Sequence, residues 1–535
     1  MKKINVISLA LVAVLMCVTL FACSEKELTD IKPTTDKYRT YYQIFPYSFA
    51  DGNGDGVGDI KGIIDKLDYI DDLHYDGIWL TPIHQSPTYH KYDVVDYYSV
   101  DKQFGTIEDY DELVKSCHDR GITVLLDLVF NHTAVDNPWF LQCAKANIRN
   151  SEEAASYKDY YNFKKIEGSV PEGWAQYNGL DWMYECRFWS GMPDLNLQSV
   201  LDDPNGPLAT ELTNIMRFWL VDRNVDGFRL DAVTSYFTGD TDRNLQFLTW
   251  LNNTAKSIKP SCYIVGEGSW GNSGENKKYQ QSGVDSFFNF ANGYSADGNI
   301  PFAVRREKAA YLGVLDDENV ACAADGIPAT FIANHDTGRA YGLLTGSIDV
   351  NYVKTAYGLM AMCYGTTYGY YGDEAGMVLL SSGGKNSYKD EDRRQPMPWG
   401  DSYQCVPVKG STAGTDEQKY PLGTIEKQLK DADSLVNYVK RANAIRRSFP
   451  QIARSAAKTV FINPDRSLCV VSKGSGTELL YIVWNASHTK TQTFDISNLP
   501  AEVKLAATLS VAKSASLSKT TLTMPAMSFA VLTVK

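Results

Sequence analysis

Short apolar runs and amphipathic stretches alternate along most of this chain. Apolar runs bounded by Gly, Asp or Asn predict strands at 41–45, 77–81, 123–130, 225–230, 263–266, 286–290, 329–333 and 367–371. Between them, apolar residues recur with helical spacing, as at 63–73, 107–119, 208–221 and 245–258. Strands and helices in strict alternation predict an α/β class fold, a (β/α)8 TIM barrel over residues 38–452.

Two regions break that rhythm. Residues 132–191 are rich in Tyr, Trp, Asn and Gly. So long a loop without structure of its own is improbable, which predicts a small inserted domain after the third strand, over the active face. Past residue 453 the helical spacing ends, and short strands at 458–462, 468–472 and 479–484 are punctuated by Gly, Ser, Asn and Pro. Residues 453–535 are therefore expected to form a C-terminal all-β domain, a β-sandwich.

The N-terminus has a different pattern. Lys2 and Lys3 precede an almost unbroken apolar run from Ile4 to Phe21, and Leu20-Phe21-Ala22-Cys23 follows. This order reads as an export signal over residues 1–22, ending in a bacterial lipobox with Cys23 as the lipidated residue. Plain signal cleavage and an uncleaved anchor are the other readings of the same run. Residues 24–37 are polar and charged, and with Cys23 make a tether, 23–37, from membrane to enzyme. Nothing later in the chain is apolar for long enough to span a bilayer.

Composition narrows the function. A net charge of −12 argues against nucleic acid, which needs concentrated Lys and Arg. Beyond Cys17 and Cys23, the remaining cysteines run from Cys117 to Cys469 without close pairs, and no zinc-type spacing occurs. Whether these are thiols or disulfides stays open.

The chemistry lies at strand ends. Asp127 falls on strand three, Asp231 ends strand four, Glu267 ends strand five and Asp336 follows strand seven. In a barrel those ends converge on one face. Arg229 lies two residues before Asp231, on the same side of its strand, and is expected to lower that carboxyl's pKa and hold it ionised, as a nucleophile requires. Glu267 follows Gly266, which leaves room for substrate, and a shielded carboxyl there suits a general acid. Two such carboxyls are the minimum equipment for breaking a glycosidic bond.

Five segments in register resemble the signature regions of the α-amylase family, glycoside hydrolase family 13. They are Asp127-Leu128-Val129-Phe130-Asn131-His132, Met192-Pro193-Asp194-Leu195-Asn196, Gly227-Phe228-Arg229-Leu230-Asp231, Val265-Gly266-Glu267 and Phe331-Ile332-Ala333-Asn334-His335-Asp336. Tyr41-Tyr42-Gln43-Ile44-Phe45-Pro46, Tyr371-Gly372-Asp373-Glu374 and the stretch from Asp392 to Trp399 are similar as well. The resemblance implies Asp231 as nucleophile, Glu267 as acid/base, and Asp336 as the group bracing the sugar hydroxyls. It also implies Tyr92, His132, Arg229, His335 and Arg394 as substrate-binding residues, Tyr92 by stacking on the glucose at the cleavage point.

Asp51-Gly52-Asn53-Gly54-Asp55-Gly56-Val57-Gly58-Asp59 alternates oxygen donors. It imitates an EF-hand loop, but position twelve is Gly62 rather than Glu and a strand precedes it. The segment is instead similar to a family metal loop with ligands Asp51, Asn53, Asp55, the Val57 carbonyl and Asp59, for Ca2+ or alternatively Mg2+. Asn131 and Asp194 match two ligands of a second family calcium site, but Asp231-Ala232-Val233-Thr234-Ser235 lacks its usual histidine, so that site is not expected.

The expected function is a retaining α-amylase cleaving α-1,4 bonds in starch and malto-oligosaccharides. An exo-acting α-glucosidase or oligo-1,6-glucosidase is the alternative, and a non-catalytic glucan-binding lipoprotein a remote one, disfavoured because all three carboxyls are present. The protein is expected to be a monomer, exported and anchored at the bacterial cell envelope. Trp174, Tyr177, Trp182, Tyr184 and Trp189 of the insertion are candidate sugar platforms.

Overall fold

Eight parallel strands close around a core of rings: β1 (Thr40–Ile44), β2 (Gly77–Leu80), β3 (Thr123–Leu128), β4 (Gly227–Leu230), β5 (Tyr263–Gly266), β6 (Ser286–Phe287), β7 (Ala329–Phe331) and β8 (Thr366–Tyr370). The computed structural model describes residue 28 and residues 31–270, 273–344, 349–379, 389–412 and 420–535; Cys23 and the expected signal lie outside them. The sheet runs β7-β8-β1-β2-β3-β4-β5-β6, and a parallel bridge from Phe288 to Ala329 joins its two edges. This is the (β/α)8 barrel that the alternating pattern predicts.

Side chains alternate along each strand. Tyr41, Trp79, Leu125, Tyr263, Val265, Phe331 and Tyr368 form one buried cluster inside the barrel. The Tyr41 ring stacks between Tyr263 and Tyr368 at 5.6 and 5.0 Å. Tyr42, Ile78, Leu80, Leu126, Leu128, Phe228 and Ile264 belong to the larger core under the surrounding helices. The interior is thus plugged largely by apolar rings, with Ser286 and Thr366 at the strands' N-terminal ends bonding the Tyr263 hydroxyl, and the charged residues lie at the C-terminal ends.

The helices begin where the sequence can cap them. Thr106 and Asp109 form a reciprocal capping box for Ile107–His118, and Asp240 caps Thr241–Ile258 through the Arg243 N–H. The amphipathic run at 63–73 divides into Ile60–Asp65 and Leu67–Asp72, and the run at 208–221 forms Pro207–Arg217 followed by one wider turn, Phe218–Asp222.

The insertion contains the helix Pro138–Arg149 and a three-stranded antiparallel sheet, in the order Phe163–Lys165, Trp182–Glu185, Trp174–Gln176. Its small core is aromatic: Phe140 and Phe163 meet Tyr177 and Tyr184 edge to face or tilted. Tyr177 and Tyr184 are therefore packing residues, which corrects their candidacy as sugar platforms. Trp174 and Trp182 carry the Lys164 and Lys165 ammonium groups over their rings. Trp189 and its neighbour Phe188 are about half exposed, at 52% and 51%.

The C-terminal region folds as two sheets, one of five strands (Lys458–Ile462, Leu468–Lys473, Leu480–Asn485, Ser528–Val534, Val503–Ser510) and one of three. Leu468, Val470, Tyr481 and Val483 pack with Phe494, Leu522 and Met524 of the smaller sheet. The alternate residues Cys469, Val471, Ile482 and Trp484 pack on barrel helices, with Tyr357 and Val439. Period-two alternation thus serves two interfaces at once. A fully buried Lys473–Asp316 pair at 2.5 Å links this sheet to the barrel helix Tyr311–Ala323. Of the expected tether, residues 31–37 lie against the barrel: the Thr34 N–H donates to Asp76, Asp36 pairs with Arg454 and Lys37 with Asp285. The cysteines among the described residues are all buried free thiols.

Candidate active site

The site is the continuation of the barrel's inward-facing rows. Two residues beyond Leu125 on the same face comes Asp127, and the register places Arg229 beside it and Val265 beside Arg229. Two residues further along those strands are Asp231 and Glu267. The Asp231 N–H donates to the Leu128 carbonyl at 3.2 Å, and the Glu267 N–H to the Leu230 carbonyl at 2.9 Å, which continues the strand pairing to the carboxyls themselves.

Arg229 organises the centre. Nη1 donates to Asp231 Oδ1 at 2.6 Å and to Asp127 Oδ1 at 2.9 Å; Nη2 donates to Glu267 Oε2 at 2.9 Å. The guanidinium is buried, 1% exposed, so its attraction to these carboxylates is poorly screened. Trp79 Nε1 and the Tyr92 hydroxyl also donate to Asp127 Oδ2, at 3.2 and 3.1 Å. Asp127 therefore serves as the buried partner that fixes Arg229 and Tyr92.

The chain turns sharply after Asp231. Ala232 has φ +50, a left-handed conformation that costs a residue with a Cβ ~1 kcal/mol or more. That turn aims the Ala232 N–H at Glu267 Oε2, at 2.9 Å. The remaining oxygen, Oε1, accepts from Trp270 Nε1 at 2.9 Å.

Three carboxyls share one guanidinium, and this alters the expected electrostatics. Burial raises the Asp231 carboxyl well above its ordinary range; Arg229 pulls it down, while Glu267 and Asp127 push it up again. Arg229 lowers the carboxyl as expected, but burial is the larger influence and the net direction is upward. Asp127 is raised for the same first reason, burial, opposed by Arg229.

Asp336 stands in the opposite condition. Burial would raise it, but His335 and then Arg394 outweigh that and hold it below the usual carboxylate range. His335 Nε2 lies 2.9 Å from Asp336 Oδ2, and Arg394 Nη2 donates to Oδ1 at 3.0 Å. Gln43 Nε2 lies 2.6 Å from His335 Nδ1, and His335 Nε2 faces both Asp336 and the Tyr92 oxygen, the latter at 2.6 Å. The Tyr92 and His335 rings stack, 5.5 Å apart and 6° from parallel.

The structure brings together all eight residues expected to act on substrate. Asp231, Glu267, Arg229 and Tyr92 join through Asp127, while Asp336, His335 and Arg394 join through direct contacts. His132 is buried, its ring 5.2 Å from that of the half-exposed Phe188. Its Nε2 is buried without a hydrogen-bond partner, and burial pushes the imidazole down to about 3, so it stays neutral and able to bond a hydroxyl. Sequence reasoning missed Gln43, Trp79, Tyr89, Phe188, Trp270 and Asp390. Tyr89 and Arg394 both donate to Asp390 Oδ2, at 2.5 and 2.6 Å. Gln43 lies inside the Tyr41–Pro46 segment and could have been found there, and Tyr89 lies three residues before Tyr92. Asp390 and Phe188 had no local signal.

The loop after β1 curls back through Gly54 and Gly56, both left-handed at φ +84 and +89. Asp51 accepts from the N–H groups of Asn53, Gly54 and Gly56, and Asp59 from those of Gly52, Asn53 and Gly62. Asp59 also caps the helix Ile60–Asp65. The donor set is entirely hard oxygen, and among the described residues no ion pair with Lys, Arg or His neutralises Asp51, Asp55 or Asp59. That suits a small divalent cation. Among the described residues no group of three His, Cys, Asp or Glu side chains is already placed to hold a metal ion, so the loop's carboxylates would have to turn inward from the N–H groups that donate to them. Asn131 and Asp194 do meet, Nδ2 to Oδ1 at 3.3 Å, and burial raises Asp194 to about 7.

A family model described as "Alpha amylase, catalytic domain" matches residues 43–455. Alpha-amylase 3 of Dictyoglomus thermophilum is 32% identical over 483 residues, covering 86% of this chain and 87% of that protein. An oligo-1,6-glucosidase of Heyndrickxia coagulans is 28% identical over 543 residues, covering 86% and 93%. Among solved structures, Eubacterium rectale Amy13B superposes with a TM-score of 0.84 at 37% identity, covering 95% of this chain and 97% of that one. The matched model spans most of the chain, including every carboxyl of the site, and the chain belongs to the α-amylase family of glycoside hydrolases.

Proposed function

We propose that this glycoside hydrolase is an endo-acting, retaining α-amylase that cleaves α-1,4 bonds in starch and malto-oligosaccharides. The observation that carries the reading is the Arg229 bridge: Asp231 and Glu267 sit on the two terminal nitrogens of one guanidinium. Carboxyls so held are close, as in retaining enzymes, where they stand ~5–5.5 Å apart; inverting enzymes space them wider to admit a water. Asp231 then attacks the anomeric carbon as Glu267 protonates the leaving oxygen, and water later releases the sugar with configuration retained. Asp336, His335, His132 and Arg394 grip the sugar's hydroxyls. The α-amylase of D. thermophilum supports the polymer-cleaving reading, as does the exposed ring of Phe188 beside His132.

Product analysis tests it. Amylose should lose iodine staining early, releasing mixed malto-oligosaccharides as α-anomers, and a malto-oligosaccharide blocked at its non-reducing end should be cut. Glucose as sole early product, with the blocked substrate intact, would establish the exo-acting alternative that the oligo-1,6-glucosidase relative represents.

The loop carrying Asp51, Asn53, Asp55, Val57 and Asp59 is proposed to hold one Ca2+, with Mg2+ as the alternative. The ion would tie β1 to the helix that Asp59 caps. Chelation is expected to lower the melting temperature by several degrees while activity at moderate temperature changes little, through linkage of binding to folding. No shift with chelator, and no metal by elemental analysis, would leave the loop as a solvated turn. The protein is further proposed to be a monomeric lipoprotein acylated on Cys23 and held at the cell envelope. Cys23→Ala should then shift it from the detergent to the aqueous phase in phase partition; unchanged partition would refute acylation.

A further inference from the structure

The acid/base carboxyl is surrounded asymmetrically. Glu267 Oε2 accepts two hydrogen bonds, from Arg229 Nη2 and the Ala232 N–H, both at 2.9 Å. Neither donor can accept a proton in return, and together they fill the lone pairs of Oε2. Among the described residues Oε1 accepts one bond only, from Trp270 Nε1 at 2.9 Å. The transferable proton therefore belongs on Oε1, the oxygen that Trp270 holds.

We infer that Trp270 is a positioning residue for the acid/base step: its indole N–H fixes Glu267 Oε1 as the proton-bearing oxygen and stabilises the charge left there when the proton departs. The indole is itself fixed. It stacks on Phe290 with centroids 4.6 Å apart and planes 23° from parallel, and it meets Tyr294 edge-on at 6.0 Å. Phe290 in turn belongs to the barrel's interior cluster, so the donor is anchored to the most rigid part of the fold. The ring remains 40% exposed, which leaves space for substrate beside it.

The proton balance is simple. Oε1–H passes to the glycosidic oxygen as the bond from that oxygen to the anomeric carbon breaks; the aglycone leaves as an alcohol and Glu267 becomes a carboxylate. The Trp270 bond then becomes charge-assisted, and such bonds are about twice as strong as neutral ones. The gain appears as the proton leaves, so it lowers the barrier instead of tightening ground-state binding. In the second step Oε1 takes a proton from the attacking water, the Asp231 ester is cleaved, and the carboxyl returns to its first state.

The inference rests on Glu267 being the acid/base. Its test is a leaving-group comparison. Trp270→Phe keeps the ring and removes the donor. It should lower kcat/KM on malto-oligosaccharides by about tenfold or more, within the span of general-acid effects, and on α-glucosyl fluoride by less than about threefold, since fluoride departs with little protonation. Trp270→His, which restores a ring N–H, should recover part of the loss; Trp270→Leu should not. Equal losses on both substrates would assign Trp270 a purely structural or sugar-stacking role, and no loss on either would remove it from the reaction; both outcomes overturn the inference. Glu267→Gln run alongside separates the two levels. If that variant still hydrolyses malto-oligosaccharides like the parent, the acid/base assignment itself has failed. If it does not, a negative Trp270 result falls on this inference alone.

Discussion

Asp231→Asn is expected to lose turnover on the order of 10⁴-fold or more on every substrate, including activated glycosides, because the variant lacks the carboxylate that attacks the anomeric carbon. The fold should survive. The amide keeps the side chain's shape, and its oxygen can still accept from Arg229 Nη1, as Asp231 Oδ1 does at 2.6 Å. Stability should even rise at neutral pH. Burial, with repulsion from Glu267 and Asp127, raises the Asp231 carboxyl in the folded state. A carboxyl raised in this way contributes its stability fully below the unfolded value of ~3.9 and loses it as pH climbs through the folded value. Above that value the ionised Asp231 is a cost carried for catalysis, and the amide removes it. Thermal melts of parent and variant at pH 4 and pH 8 check this: the variant's advantage should be larger at pH 8.

Glu267→Gln should reduce starch hydrolysis by ~10²–10⁴-fold, the range of general acid–base catalysis. Unlike Asp231→Asn, its defect should depend on the leaving group. An aryl glycoside with a good leaving group needs little protonation, so its first step should recover. The second step lacks a base for water, so the glycosyl-enzyme should accumulate and the phenol should appear as a burst. The Gln carbonyl can take the place of Oε2 between Arg229 and the Ala232 N–H, which leaves its amide nitrogen facing the Trp270 N–H and loses that one bond. A uniform loss on starch and aryl glycoside, without a burst, would mean that Glu267 is not the acid.

The barrel was legible because its strands are short apolar runs, each ending in a chemically distinctive residue. Period-two alternation alone leads from Leu125 to Asp127 and puts Arg229 and Asp231 on one face. What the sequence could not disclose are the contacts between separate loops. Asp390, on the helical turn Asp390–Arg393, bonds its near neighbour Arg394 but also Tyr89 hundreds of residues away, and no periodicity encodes that second meeting. The left-handed turn at Ala232 is equally hidden, because alanine gives no hint of positive φ. Aromatic residues of the insertion were visible by type but not by role. Tyr177 and Tyr184 pack into a small core that needed apolar bulk, whereas Phe188 and Trp189 stand about half exposed. The electrostatics of Asp231 also needed the structure, since a neighbouring arginine was visible and its division among three carboxyls was not.

The central claim is that Asp231 becomes covalently bonded to the sugar. The most direct measurement is mass spectrometry of the protein after incubation with a glucosyl fluoride slowed by a second fluorine on its ring. The account predicts one added fluoroglycosyl group, located by proteolysis on the peptide that contains Asp231 and absent from Asp231→Asn. A label on Glu267 or any other residue, or turnover of that reagent with β-configured product and no covalent species, would contradict it.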